Sequence, residues 1–147
     1  MQIQRVVVLF ITVAAIFISK QAKCEESAQM LSLPTHADAA VVFAKYSGLF
    51  DTYVEDDADL SFCVSFLNKH GVYFGLMEVI NGKEFKKIDC ARVMGQIELV
   101  LSGEADYLAG KVILPKNVAS WEDFCILNGV LYSEAYEAMI KSYKYDH

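Results

Sequence analysis

Thirteen consecutive residues near the start, positions 6–18 (VVVLFITVAAIFI), are apolar apart from Thr12, and they decide how much chain is left to fold. Arg5 precedes them, and the short polar stretch SKQAKC follows. A charged start, an apolar middle and a small-residue exit are the three parts of a secretory signal. The run is well short of the roughly 20 residues that a membrane-spanning helix needs. Ala22-Lys23-Cys24 puts small residues at the two positions that matter for cleavage, which predicts a cut before Glu25. A cut after Ala22 would put Lys20 at the first of those positions, and Lys23 argues against a lipid on Cys24. The expectation is a signal over residues 1–24 and one secreted domain over residues 25–147, with no stable membrane anchor.

The signal carries Arg5, Lys20 and Lys23 and no acidic residue, so residues 25–147 keep ten basic groups against nineteen acidic ones. Such an acidic chain is a poor partner for nucleic acid or for phosphate-rich membrane surfaces. Apolar residues make up 54% of the sequence, which predicts a packed core rather than disorder.

With Cys24 lost, Cys63, Cys90 and Cys125 remain. In an oxidising compartment three cysteines allow one bridge plus one free or intermolecular thiol. No CxxC pair occurs, and His36, His70 and His147 are the only histidines, so no zinc site is expected. No basic neighbour stands ready to activate a thiol. Ser61, Ser65 and Ser102 lie in no Gly-x-Ser-x-Gly elbow, and there is no glycine-rich phosphate loop. Glu55-Asp56-Asp57-Ala58-Asp59 lacks the glycine and the distal glutamate of a calcium loop and reads as a solvated turn. The chain is therefore expected to be no enzyme and to hold no cofactor.

Thr35 is a candidate cap for a helix over residues 36–50, with Ala40, Phe43, Ala44 and Phe50 near helical spacing. Residues 60–67 (LSFCVSFL) read as a buried strand. Residues 72–80 and 83–90 read as two strands joined at Asn81-Gly82, the strongest short-range hairpin signal. A helix over residues 91–101 follows, with Val93, Met94, Ile97 and Leu101 on one face, and Ser102-Gly103 ends it. Short extended pieces at 105–109 and 112–114 come next. Ser120 can cap a last helix reaching Tyr143, which Gly129 weakens. Strands alternating with helices predict an α/β class, a small mixed sheet with flanking helices. Tyr132, Tyr136, Tyr143 and Tyr145 read as core or interface, Trp121 as a packing anchor, and His70 as a turn residue.

Cys90-Ala91-Arg92, a helix, then Ser102-Gly103-Glu104-Ala105-Asp106-Tyr107 resembles the first part of a transferrin lobe, with Phe62-Cys63-Val64 and Ile88-Asp89-Cys90 as the family's first two strands. Ser142-Tyr143-Lys144-Tyr145-Asp146 is similar to a segment of insect-like members. The resemblance covers residues 59–147 and implies a periplasmic-binding-like subdomain, truncated and degenerate. Transferrins hold Fe³⁺ through one aspartate, two tyrosines and a histidine, with carbonate beside an arginine. The aspartate slot falls near Gly110-Lys111, the first tyrosine slot near Lys144, and the other ligands would lie past His147. The resemblance thus implies a lost iron site. The family's partners for the two strand cysteines would fall near Glu98-Leu99 and in residues 75–78, where no cysteine stands. It follows that Cys63 and Cys90 would bridge to each other across neighbouring strands. Cys125 would stay free or join a disulfide dimer.

The resemblance implies a secreted, non-catalytic protein that acts by binding an extracellular partner. The rival expectation is a small secreted carrier with an apolar ligand between its hairpin and helices.

Overall fold

The computed structural model describes residues 33–49 and 57–146. The signal and its cleavage point, Phe50, Glu55 and Asp56 lie outside them, as does the side chain of Tyr145. Among the described residues, six helices and one small hairpin follow in order: α1 (His36–Tyr46), α2 (Leu60–Lys69), α3 (Leu76–Ile80), α4 (Lys87–Ser102), β1 (Tyr107–Leu108), β2 (Lys111–Val112), α5 (Trp121–Leu127) and α6 (Tyr132–Asp146). The described residues are mostly helical with a two-stranded antiparallel sheet, which is mixed α/β only in a general sense.

Helix α1 begins where Thr35 predicts. The Thr35 hydroxyl accepts from Asp38 N–H, and the Asp38 carboxylate accepts from Thr35 N–H at 2.8 Å, a reciprocal capping box. Tyr143 donates its hydroxyl to the same carboxylate at 2.9 Å, which ties the end of α6 to the start of α1.

Residues 60–67 form a helix, not a strand. Asp59, the last residue of the acidic run, is its N-cap and accepts from Phe62 N–H at 2.8 Å. Its buried side chains, Cys63, Val64 and Leu67, recur at helical spacing and pack on α1. The parallel pairing of residues 60–67 with 88–90, which the transferrin resemblance implies, therefore has no strands to form it.

The hairpin expected at Asn81-Gly82 is also replaced. Asn81 and Gly82 close α3 instead, with Gly82 at φ 63° and Lys83 N–H donating to Glu78 O. A left-handed glycine serves a helix end as well as a hairpin, and the sequence pattern does not separate the two. Residues 72–75 form no strand, although Val72 and Phe74 point inward. No neighbouring strand satisfies that backbone: Val72 N–H bonds Leu67 O, and side chains of Asn68, Gln96 and Arg92 serve Tyr73 and Phe74. Asn68 accepts from Phe74 N–H and donates to Phe74 O, while Gln96 accepts from Tyr73 N–H. Residues 83–85 pair back to the start of α1, through Phe85 N–H to Pro34 O and His36 N–H to Lys83 O, both 2.8 Å.

Helix α4 is the central element, buried on most sides from Cys90 to Leu99 and packed against α5 and α6. It ends at Gly103 (φ 74°), with Glu104 N–H bonding Leu99 O and Gly103 N–H bonding Val100 O, a Schellman end. Gly129 does more than weaken the last helix. It breaks it into α5 and α6, with Val130 N–H returning to Cys125 O at 2.8 Å. The core gathers Phe43, Phe74 and Phe85 around the ring of His36, with Phe74 and Phe85 stacked at 6.3 Å.

Cys63, Cys90 and Cys125 are buried free thiols. Cys63 faces Ala58 O from α2, whereas Cys90 on α4 faces Tyr132 O and the Met94 sulfur, so the expected Cys63–Cys90 bridge is not formed. Cys125 points at Ala91 O at 3.3 Å and is fully buried, which removes it from any disulfide dimer of the folded chain. Burial pushes all three thiols up from their ordinary value, Cys125 to about 12. The thiolate is the reactive species, so native protein is expected to resist iodoacetamide while urea exposes all three to labelling. Mass spectrometry of labelled peptides checks this, and native labelling of Cys90 or Cys125 would contradict the packing.

Glu98, on the buried face of α4, supplies a pH test. Burial is the main cause that raises its carboxyl above the usual carboxylate range, and Glu104 adds to it. A raised folded value means the contribution to stability is full below the unfolded carboxyl value and lost as pH rises through the folded one. Glu98→Gln is expected to melt above the parent at pH 8 and level with it near pH 4. Melting curves across that range decide it.

Candidate functional site

One turn of α4 carries three residues that together build a cleft wall. Arg92 and Gln96 stand four apart and so share a face. Gln96 is nearly fully buried, and its amide orientation follows from its backbone partners. Oε1 accepts from Tyr73 N–H at 3.1 Å, and Nε2 donates to Val112 O at 2.9 Å. Gln96 thus links the 72–75 segment to β2. Arg92 Nη1 donates to Tyr73 O at 2.6 Å and to Gln96 Oε1 at 3.0 Å, and its guanidinium lies 6.0 Å from the Phe74 ring. Burial is the main influence on Arg92 and lowers it from its ordinary value, against the opposing pull of Asp89 and Glu78.

Gly95 sits between these two on α4, and its missing side chain admits an indole. A methyl there would lie 2.6 Å from Trp121 Cε3. Trp121 therefore packs flush against α4, edge-on to Phe124 at 5.8 Å, and forms a second wall. Ser120 positions it by accepting from Asp123 N–H at the start of α5.

The hairpin closes the third side. Ala109 (φ 50°) and Gly110 (φ 78°) make the two-residue turn between β1 and β2, both left-handed as a type I′ turn requires. Lys111 then places Nζ 3.5 Å from the centroid of the Tyr73 ring, a cation–π contact. The cleft is open to solvent, holds about 390 Å³ and is lined by Tyr73, Leu108, Ile113, Leu114 and Trp121, with Arg92, Gln96 and Lys111 as its polar groups. A second cleft of similar volume, between the 104–118 segment and α5, has Glu104 and Asp106 on its lining and no cation.

Comparison with protein-family models, with curated proteins and with solved structures finds no match for this chain.

The residues that the sequence singles out disperse. The three cysteines lie in the core, away from the cleft lining. The tyrosines of α6 act as tethers: Tyr136 donates to Phe85 O at 3.1 Å, and Tyr132 reaches Glu122 at 3.5 Å. His70 caps α2 and lies edge-on to Phe66 at 5.0 Å. Trp121 is the packing anchor expected of it and also a cleft wall. Lys111, which occupies the family's aspartate slot under the transferrin resemblance, belongs to the cleft. Arg92 and Gln96 are a candidate pair that the sequence does not single out as a site. Their i, i+4 spacing was a readable signal, but their joint partner Tyr73 becomes adjacent only through the fold. Among the described residues no three His, Cys, Asp or Glu side chains converge as a metal site, and no helix is long and apolar enough to cross a membrane.

Proposed function

We propose that this chain is a secreted, non-catalytic binding protein that carries a small, largely apolar ligand in the cleft between α4 and the β1–β2 hairpin. The observation that carries this reading is the cleft itself. Its volume of about 390 Å³, mostly apolar and aromatic walls, and few convergent polar groups are the features of small-molecule sites. Pre-formed walls reduce what a ligand must order on binding. Secretion rests on the amino-terminal signal pattern.

Trp121 is the sole tryptophan and lines the cleft, so the protein reports on its own site. Titration with the neutral probe N-phenyl-1-naphthylamine is expected to quench tryptophan emission saturably, with one probe per chain. Leu108→Glu, a change on the exposed rim, is expected to abolish the effect. Linear, unsaturable quenching that Leu108→Glu leaves intact would sink the carrier reading.

Descent from a transferrin lobe is a second proposal. One observation favours it: α4 leads through Glu104-Ala105-Asp106 into β1, the order of helix, motif and strand that the resemblance implies. In that reading the iron site is lost. A tyrosinate charge-transfer band on titration with ferric citrate in bicarbonate would refute the loss.

A further inference from the structure

We infer that the cleft between α4 and the hairpin takes a small anionic amphiphile, its carboxylate held between Arg92 and Lys111 and its flat apolar body against Trp121. This deepens the carrier reading and rests on it.

Two cations border one cleft in a chain of formal net charge −6, where a random surface favours acids. Arg92 is half-buried, and among the described residues no carboxylate lies within ion-pair distance of it. Asp89 and Glu78 act on it only at longer range, and Glu78 is already held by Lys83 at 2.7 Å. Both protein acceptors of Arg92 are used by Nη1. The N–H groups on Nε and Nη2 have no protein acceptor and are not sealed from solvent, so they remain for a ligand. Desolvating a guanidinium without a counter-ion is unfavourable, and a planar carboxylate matches its fork two bonds at a time. A cationic ligand is excluded by the same two charges.

Lys111 extends the positive ground to the other lip. The Tyr73 ring holds its ammonium over the wall, while three donors remain free to turn toward an anion. Leu108, Ile113, Leu114 and Trp121 offer no hydrogen-bonding side chain except the indole N–H, so the remainder of the ligand is apolar. The nearby cleft lined by Glu104 and Asp106 has the opposite sign and repels the same ligand.

The test compares two probes of one shape, naphthalene-2-carboxylate and its neutral carboxamide, by calorimetry on the whole chain. The carboxylate is expected to bind at least about tenfold tighter, the gain typical of a charge-assisted hydrogen bond. That advantage is expected to fall below about threefold in Lys111→Gln and in Arg92→Gln, with melting curves confirming a folded chain. Lys111 is exposed, so Lys111→Gln decides the matter even where Arg92→Gln does not fold. Equal affinities for the two probes in the parent chain overturn the anion site and leave the carrier reading standing. An advantage undiminished by Lys111→Gln also overturns it. Binding of neither probe overturns both readings.

Discussion

Gly71→Ala is expected to lose about 3 kcal/mol of folding stability, a cost built from two effects that act at one atom. Gly71 follows α2 at φ +85°, and a side chain in left-handed backbone costs roughly 1–2 kcal/mol. A methyl there would also lie 2.5 Å from Tyr107 Cε1 and 2.8 Å from Val112 Cγ2. Tyr107 is half-exposed and can swing aside, but Val112 is buried and its N–H is held by Gly71 O at 3.0 Å. The backbone and the hairpin must therefore separate, and overpacking of this kind costs on the order of 1–3 kcal/mol. Because β2 carries Lys111 into the cleft, the variant is expected to lose ligand binding as well as stability. Urea unfolding measures the first loss and probe titration the second. A midpoint within the error of the parent would show that the hairpin does not rest on Gly71.

How much of this was legible beforehand depends on which signals are local. Thr35, Gly103 and Ser120 act through hydrogen bonds within a few residues, and each marks the helix end expected of it. Residues 60–67 failed for the opposite reason. Their apolar and aromatic content suits a strand, and what makes them helical is the Asp59 cap together with the α1 face waiting for Cys63, Val64 and Leu67. Asp59 looks like one more charge in a solvated run, but its position before Leu60 is the informative fact. Asn81-Gly82 was ambiguous in principle, since one glycine conformation ends a helix and turns a hairpin alike. The 72–75 segment forms no strand, and side chains of Asn68, Gln96 and Arg92 hold much of its backbone, which no alternation pattern announces. The bridge between Cys63 and Cys90 depended on strands that do not exist. The cleft was least visible of all: Tyr73, Arg92, Lys111 and Trp121 come from four elements, and no spacing connects them.

His36 gives the other large effect. Its side chain is fully buried, edge-on to Phe85 at 5.3 Å and to Phe74 at 6.3 Å, at the point where the 83–85 segment meets α1. Nδ1 lies 3.0 Å from Lys83 O, and a carbonyl only accepts, so Nδ1 carries a proton. In the neutral ring Nε2 then has a bare lone pair, buried without a partner, at 3.9 Å from both a Glu78 and an Asp89 oxygen. Those separations are ion pairs only for a protonated ring, whereas a neutral ring leaves Nε2 an unsatisfied acceptor facing two carboxylates. His36→Ala removes the ring and leaves a void beside Phe74 and Phe85, a loss of about 3–5 kcal/mol for an aromatic side chain of this kind. His36→Phe keeps the shape and removes the orphaned acceptor. Lys83 O still receives the His36 backbone N–H at 2.8 Å, so no carbonyl is stranded. His36→Phe is therefore expected to fall within about 1 kcal/mol of the parent, the net worth of the single ring hydrogen bond it gives up. Urea titration of the two variants separates shape from hydrogen bonding. Equal, large losses in both would assign the role of His36 to its nitrogens. A large loss in His36→Ala alone assigns it to the ring.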